Sequence, residues 1–181
     1  MKRVFIVLLI LRSILFATSQ QDTIEQAGTY VQIILPLSAW TTTLILDDTQ
    51  GQIDFYKSFG ATFATTHILK KTVKRTRPDG SDTQSFPSGH TSASFQGAAF
   101  IHFRYGLTYA IFPYVGAVFV GYSRVQAHKH YVSDVVAGGA IGAGFAWLFT
   151  KPYKVQSVFV EPVVFTSDHF KHNLYGVNIT W

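Results

Sequence analysis

Long apolar stretches alternate with short polar segments along most of this chain. The stretches cover residues 30–46, 53–74, 90–103, 107–122 and 130–149. In the second, apolar side chains recur at Phe55, Phe59 and Phe63, close to the spacing of one helix face. The segments between the stretches contain Asp, Gly, Ser and Pro, which is typical of turns. The pattern predicts an all-α fold, a compact bundle of about five core helices.

The last of these stretches is unusually rich in small residues. They are Ala137, Gly138, Gly139, Ala140, Gly142, Ala143 and Gly144. Such a surface lets another helix approach closely, and it occurs both in membranes and in tightly packed soluble bundles. The apolar stretches at 31–46, 107–121 and 135–150 are shorter than the roughly 20 residues of a comfortable membrane span. The sequence therefore leaves open whether the helices cross a bilayer.

The first 19 residues have the features of an export signal. Lys2 and Arg3 precede an apolar run, and Ala17 and Ser19 fit a cleavage site. The alternative is an uncleaved N-terminal anchor, although Arg12 interrupts the apolar run. Removal of the segment would lower the formal net charge from +5 to +2. The basic balance is therefore no indication of nucleic-acid binding.

Three parts of the chain are expected on this basis. They are a signal peptide or anchor (1–19), a helical domain (20–154) and a C-terminal tail (155–181). The tail is rich in Val, Phe, Tyr and Thr with partial alternation, which predicts a short hairpin or an extended segment. The chain has no Cys, which excludes disulfides, a thiolate nucleophile and Cys-based metal sites.

Residues 123–134 combine a guanidinium, an imidazole and a carboxylate. On a helix, residues four apart lie on one face, so Asp134 is expected to reach a ring nitrogen of His130 and fix its tautomer. An imidazole held in this way beside Arg124 suits nucleophilic attack on a phosphoryl group. The alternative is an ordinary surface His–Asp pair on a polar helix start.

Two further motifs precede this one. Lys70-x6-Arg77-Pro78 closes the second stretch, and Pro87-Ser88-Gly89-His90 opens the third. Ser88 and the amide of Gly89 mark a helix N-terminus, which is a ready anion site, and glycine would let the backbone approach a ligand. Lys71, Lys74 and Arg75 flank the first motif, where they would either draw anions towards the site or form a solvated helix end.

Together the motifs supply what phosphoryl transfer without a metal requires. Arg77 and Arg124 can each bind phosphate through paired donors, and Lys70 adds a point charge. Three cations would take the place of the Mg²⁺ that neutralises developing charge in other phosphoryl-transfer sites. We therefore expect neither a metal ion nor a cofactor.

The three motifs, with the third written Ser123-Arg124-x5-His130-x3-Asp134, resemble the signature of the type 2 phosphatidic acid phosphatase superfamily. That superfamily includes lipid phosphatases, bacterial acid phosphatases and vanadium haloperoxidases. All signature positions and the spacings inside each motif match, over residues 70–134. The resemblance implies an all-helical bundle with the active site at helix ends.

The resemblance also implies a role for each residue. His130 would be the nucleophile that forms a phosphohistidine, and Asp134 would orient its ring and stabilise its positive charge. His90 would protonate the departing oxygen and then activate water. The phosphate would be held by Lys70, Arg77, Ser88, Gly89 and Arg124.

The leading expectation for function is hydrolysis of a phosphomonoester or diphosphate of a lipid. Apolar helices and aromatic residues such as Phe86 and Tyr131 favour a lipid, and the leader favours an exported envelope protein with its site on the non-cytoplasmic side, at a membrane surface. The alternatives are a soluble periplasmic acid phosphatase of broad specificity, a vanadium haloperoxidase, for which the chain is short, and a non-catalytic envelope protein. The oligomeric state is left open.

Overall fold

The computed structural model describes the backbone of residues 2–153, 159–165 and 174–180, and the side chains of residues 22–153. The helices are α1 (Lys2–Ile45), α2 (Thr49–Val73), α3 (Gly89–Tyr105), α4 (Leu107–Gln126) and α5 (Val132–Phe149). Two strands follow, β1 (Phe159–Phe165) and β2 (Leu174–Thr180). The predicted bundle of five helices is confirmed.

Helix α3 is the centre of the bundle, and it packs against the other four helices. Glycines set two of these contacts. A Cβ atom on Gly97 would lie 2.7 Å from the backbone nitrogen of Pro36 in α1, and one on Gly138 of α5 would lie 2.5 Å from the carbonyl oxygen of Ser88. No side chain fits at such distances, so α1 and α5 reach α3 only because these residues are glycines. This confirms the close helix approach predicted from the small residues of the last apolar stretch.

Aromatic rings fill much of the space between α2 and α3. Phe100 is fully buried, and its ring meets that of Phe55 edge-on at a centroid distance of 5.3 Å. Phe55 in turn stacks on Phe59 at 5.6 Å. Burial of each such ring stabilises the fold by about 1.5–3 kcal/mol. The aromatic spacing that predicts α2 therefore places these rings in the core.

The outer faces of the helices are apolar as well. The large apolar side chains that lie exposed include Ile33, Leu37, Phe63, Phe112, Val115, Val118, Trp147 and Leu148. Within the described part of the chain, α5 is the one helix that is long and apolar enough to cross a membrane by length and composition. An exterior of this kind is suited to contact with lipid.

Two helix boundaries differ from the sequence predictions. The polar turn expected at 47–51 is shorter, since α2 already begins at Thr49. Asp48 makes this early start favourable, because its carboxylate accepts a hydrogen bond from the Gly51 amide at 2.9 Å and caps the helix. The last helix begins at Val132 rather than at His130. This second shift changes the geometry of the site.

A buried ion pair closes the end of the bundle where α2 begins and α3 ends. The side chains of Asp48 and Arg104 are 3% and 5% exposed, and Arg104 Nε donates to Asp48 Oδ2 at 2.7 Å. The Tyr105 hydroxyl donates to the same carboxylate at 2.9 Å, and Arg104 Nη1 donates to the Lys151 carbonyl at 2.7 Å. These bonds tie α2 and α3 to the segment after α5, which leaves the opposite end of the bundle free for chemistry.

The terminal segments complete the chain. Strands β1 and β2 pair antiparallel, with Phe159 opposite Thr180 and Phe165 opposite Leu174, inside the region for which the sequence predicts a hairpin or extended tail. The remaining tail residues, 154–158, 166–173 and 181, lie outside the described residues. The backbone of α1 continues through residue 19 without a break. The side chains of the predicted signal peptide lie outside the described part, so its cleavage and the domain boundaries stay predictions.

Candidate active site

The three sequence motifs meet at the open end of the bundle. Lys70 lies in the last turn of α2, Ser88 caps α3, and Arg124 lies in the last turn of α4. His130 lies in the turn between α4 and α5, and Asp134 in the first turn of α5. The backbone amide of Ser88 donates to the carbonyl of Asp134 at 2.9 Å, which joins the second motif to the third.

The imidazole of His130 is buried and held in one tautomer. Only 2% of the residue is exposed, and its Nδ1 lies 2.7 Å from the carbonyl oxygen of Ser85. A carbonyl can only accept, so Nδ1 carries the hydrogen and Nε2 of the neutral ring carries the lone pair. Nε2 lies 3.5 Å from Nη1 of Arg77. The nitrogen with the lone pair, which the sequence predicts to be the nucleophile, therefore faces a guanidinium of the predicted phosphate site.

The predicted direct hydrogen bond between the His130 ring and the Asp134 carboxylate is wrong. His130 lies before Tyr131, the N-cap of α5, so the two residues do not share a helix face, and Asp134 Oδ2 is 3.8 Å from His130 Nδ1. The fully buried carboxylate instead accepts from the Ser85 hydroxyl at 2.5 Å, the Tyr131 amide at 3.0 Å and Arg75 Nη1 at 2.7 Å. Asp134 thus fixes Ser85, whose carbonyl orients the imidazole.

Arg75 is a site residue that the motifs do not single out. Besides Asp134, its Nη1 donates to the Ser133 hydroxyl at 2.7 Å, and its guanidinium carbon lies 4.0 Å above the centre of the Tyr131 ring. The side chain is 37% exposed. Of the three flanking cations, Arg75 is the one that pairs with Asp134. The sequence could not indicate this, because a cluster of basic residues at a helix end does not reveal which side chain points into the bundle.

Arg77 and Lys70 are each fixed by protein acceptors and keep donors to spare. Arg77 donates through Nε to Asp82 at 2.7 Å and through Nη1 to the Lys129 carbonyl at 3.3 Å. Lys70 donates to the Gln84 carbonyl at 2.6 Å. A guanidinium has five N–H donors and an ammonium three, so both groups can hold a phosphate as well.

Arg124 is held by helix α1. It is 2% exposed, its Nε donates to the Ser123 hydroxyl at 3.1 Å, and its Nη2 donates to the carbonyl oxygen of Glu25. Its Nη1 lies 3.7 Å from the Glu25 carboxylate. Sequence reasoning missed Glu25 because it precedes Arg124 by 99 residues and belongs to no motif.

The start of α3 presents a capped turn and an unpaired imidazole. The Ser88 hydroxyl bonds the Thr91 hydroxyl at 2.9 Å and accepts from the Thr91 amide at 3.4 Å. A Cβ atom on Gly89 would lie 3.6 Å from Cε of Lys70, an ordinary contact, so only a bound ligand would require glycine here. Among the described residues, 22–153, the side chain of His90 has no hydrogen-bond partner, which leaves it available to a substrate.

Burial, assisted by the nearby cations, keeps both histidines neutral at neutral pH. Burial, together with Lys70 and Arg77, lowers the pKa of His130 from 6.5 to about 4. Burial, Arg124 and Arg77 lower the pKa of His90 to about 4. Burial and Arg77 also lower the pKa of Lys70 to about 8. At neutral pH the site thus combines two neutral imidazoles with three cations, an arrangement suited to an anionic phosphoryl group.

Comparison with known proteins establishes the family. The model of the PAP2 superfamily matches residues 53–156, more than half of the chain and all three motifs. The chain belongs to the PAP2 superfamily. Its members' signature is the one that the sequence motifs resemble, so this prediction is confirmed.

Curated PAP2-type relatives are lipid phosphatases. The lipid A 4'-phosphatase of Helicobacter pylori strain J99 is 28% identical over 169 residues, which cover 87% of this chain and 84% of the relative. The lipid A 1-phosphatase of Porphyromonas gingivalis is 41% identical over 76 residues, which cover 40% of this chain and 17% of the relative. The transmembrane PAP2-type phosphatidylglycerolphosphate phosphatase of Bacillus subtilis is 24% identical, with a TM-score of 0.44, and the match covers 80% of this chain and 91% of that one.

Membership of the PAP2 superfamily and the curated phosphatases among the relatives together identify the enzyme class. The protein is a phosphatase, a phosphoric ester hydrolase, as the motifs predict. The roles of the individual side chains follow from the geometry and are proposed below.

Proposed function

We propose that the protein removes a phosphate group from a membrane lipid through a phosphohistidine formed on Nε2 of His130. The observation that carries this proposal is the tautomer of the ring. The carbonyl oxygen of Ser85 lies 2.7 Å from Nδ1 and keeps the proton on that nitrogen. Nε2 therefore carries the lone pair, and it lies 3.5 Å from Nη1 of Arg77. Because the neutral ring already carries a lone pair on Nε2, no proton has to leave before the attack.

The reaction proceeds in two halves. In the first, Nε2 of His130 forms a bond to phosphorus, the bond from phosphorus to the lipid oxygen breaks, and that oxygen takes a proton from His90. In the second, His90 takes a proton from water, the water oxygen attacks phosphorus, and the electron pair of the P–N bond returns to His130. A positioned acid and base of this kind typically accelerates a reaction by about 10²- to 10⁴-fold.

Binding of phosphate is expected to raise the pKa of His90, which favours the protonated form needed for proton donation. In the free site the pKa of His90 is about 4, because burial and the neighbouring cations disfavour the imidazolium. A bound phosphate dianion offsets the charges of Lys70, Arg77 and Arg124, so the pKa of His90 rises when substrate binds. Binding of phosphate is therefore expected to take up a proton, which calorimetry in buffers of different ionisation enthalpy would measure.

Asp134 acts on the nucleophile through Ser85 and through its charge. Its Oδ2 lies 3.8 Å from Nδ1 of His130, near enough to stabilise the positive charge that the ring acquires in the phosphohistidine. Its hydrogen bond from the Ser85 hydroxyl, at 2.5 Å, keeps the carbonyl of the same residue in place for Nδ1. The carboxylate is therefore a positioning and electrostatic group.

A lipid is the substrate class that the surface supports best. The protein is membrane-associated, and its exposed side chains include large apolar residues such as Phe112 and Trp147, at 84% and 68% exposure. The two curated relatives named above are phosphatases of lipid A, so lipid A is the first lipid to test. We place the active site on the non-cytoplasmic face of the membrane, which protease accessibility of the loop at 78–87 in intact spheroplasts would test.

The decisive experiment measures phosphate release by the purified full chain in detergent. The panel comprises lipid A, phosphatidic acid, phosphatidylglycerol phosphate, undecaprenyl diphosphate and a soluble aryl phosphate. We expect release from at least one lipid, persistence in EDTA, inhibition by vanadate and loss in His130→Ala. His102→Gln, at the far end of α3, is the matched control and should keep its activity.

Three results would contradict the proposal. A strict requirement for Mg²⁺ would refute the metal-free reaction. An acid-labile phosphoenzyme that persists in His130→Ala would assign the nucleophile to another residue. Release from the aryl phosphate alone would favour a broad-specificity acid phosphatase over a lipid phosphatase.

A further inference from the structure

A long apolar groove runs between α4 and α5, beside the candidate active site. It has a volume of about 660 Å³, within the range of known ligand sites. Its floor is Phe95 of α3, and its two walls are apolar side chains of α4 and α5. The residues that line the walls include Val118, Tyr122, Val125, Val132, Val136 and Ala140.

The groove exists because α4 and α5 each pack on α3 and touch each other little. Small residues on the α5 side keep the groove open. A Cβ atom on Gly139 would lie 3.3 Å from the Phe95 ring, and Ala140 and Ala143 add one methyl group each. Larger side chains at these positions would fill the space, so the groove is a property of the sequence of α5.

One end of the groove lies directly beside the phosphate site. Its wall residue Val125 follows Arg124, and Val135 follows Asp134. A Cβ atom on Gly121 would lie 2.7 Å from Val135 and 3.8 Å from Thr91. Thr91 in turn bonds the hydroxyl of Ser88 at 2.9 Å. One layer of side chains therefore separates the apolar lining from the residues proposed to hold phosphate.

We infer that this groove binds an acyl chain of the lipid whose phosphate the site removes. The inference rests on the proposed function, because the occupant is defined by its phosphate. The phosphate site supplies cations, and the adjoining groove supplies an apolar surface. This combination matches a molecule with an anionic head and a hydrocarbon tail. The lining is also open to the surroundings, since Val118 and Val136 are 61% and 65% exposed, so a chain can enter from the side.

Filling the groove should affect long-chain substrates alone. Ala140 is exposed on the α5 wall, so Ala140→Trp adds its ring to the groove without opening the core. The assay compares KM for dioleoyl and dihexanoyl phosphatidic acid in one detergent. Each buried methylene contributes about fourfold in binding, so loss of two methylene contacts raises KM for the long lipid about 15-fold. KM for the short lipid should stay within about twofold by the same reasoning.

Two further variants sharpen the test. Val118→Trp fills the groove from the α4 wall and should reproduce the chain-length effect. Leu148→Trp adds the same ring to an exposed position of α5 outside the groove and should change neither KM. A selective loss in both groove variants, with an unchanged control, would support the inference.

Other outcomes would overturn it. Unchanged KM for dioleoyl phosphatidic acid in both groove variants would mean that bulk lipid fills the groove. Equal loss on the two lipids, with a changed oligomeric state on size exclusion, would assign the groove to a second copy of the chain. Release from no lipid by the wild-type chain would refute the proposed function itself, a result distinct from normal hydrolysis with no chain-length effect.

Discussion

Replacement of Arg75 tests how the buried carboxylate of Asp134 is used. Arg75 donates to Asp134 Oδ1 at 2.7 Å, and Asp134 accepts from the Ser85 hydroxyl at 2.5 Å. The carbonyl of Ser85 in turn contacts His130, so the cation lies three hydrogen bonds away from the proposed nucleophile. Arg75→Met keeps an unbranched apolar stem and removes the guanidinium with its charge. Arg75→Lys keeps the charge and is the matched control.

The expected loss follows from the burial of the two partners. Removing one partner of a buried ion pair costs about 3–5 kcal/mol. Arg75 is 37% exposed, however, and Asp134 retains its bonds from Ser85 and from the Tyr131 amide. Discounted for solvent screening and for these remaining donors, the cost of Arg75→Met is about 1–2 kcal/mol, or about a 5- to 30-fold fall in kcat/KM if it falls on the transition state.

The pH profile separates an electrostatic role from a structural one. In the proposed reaction His130 attacks as the neutral ring, so activity should fall as the pH drops through its pKa. Without Arg75 the charge of Asp134 is less neutralised, the imidazolium of His130 is favoured, and the acid limb of kcat/KM moves to higher pH. In Arg75→Lys the limb should stay in place. A uniform loss of activity with an unmoved acid limb in Arg75→Met would refute the reasoning.

Three further predictions concern protonation and stability. Because the pKa of Lys70 is about 8, KM for the phosphate substrate should rise above pH 8, and Lys70→Arg should abolish that rise in steady-state kinetics. The pKa values of His90 and His130 are lowered from 6.5 to about 4 in the folded protein. Between these pH values the unfolded chain binds more protons than the folded protein, so the free energy of unfolding should fall as the pH drops from 6.5 to about 4. Thermal unfolding in detergent should show this, and His130→Asn should flatten the dependence. Arg104→Met removes the cation that pairs with the buried carboxylate of Asp48 and should cost about 3–5 kcal/mol of unfolding free energy. A kcat reduced per folded molecule would contradict a purely structural role of Arg104.

The fold was predictable because its determinants are local. Helix periodicity and turn residues mark the elements of the bundle, and the glycines of α5 indicate a close helix contact, which Gly138 makes against Ser88. The shortened turn before α2 depends on a side-chain cap from Asp48, which is a weaker signal than a run of polar residues. Boundaries set by single hydrogen bonds were therefore the less predictable part of the fold.

The candidate site was predictable only as far as its motifs reach. Lys70, Arg77, His90, Arg124 and His130 lie together because each motif is fixed to a helix end. The partners that position them belong to no motif. His130 donates to the backbone carbonyl of Ser85, and Arg124 donates to that of Glu25. These hydrogen bonds depend on how distant segments pack together. Because every residue has a carbonyl, the sequence does not indicate which one will be the acceptor.

The first turn of α5 serves the phosphate and the lipid chain at once. Asp134 points into the bundle and is fully buried, whereas Val132 and Val136, two residues to either side, line the groove. Since residues two apart on a helix lie on different faces, this one turn sets the distance between the nucleophile and the entrance of the acyl groove. A shift of α5 along α3 would change both, and the contact between Gly138 and Ser88 opposes such a shift because it leaves no space for any side chain. The small residues of α5 are therefore expected to affect catalysis, because they fix the position of α5. That position determines where the phosphate headgroup of a lipid can lie when its acyl chain occupies the groove.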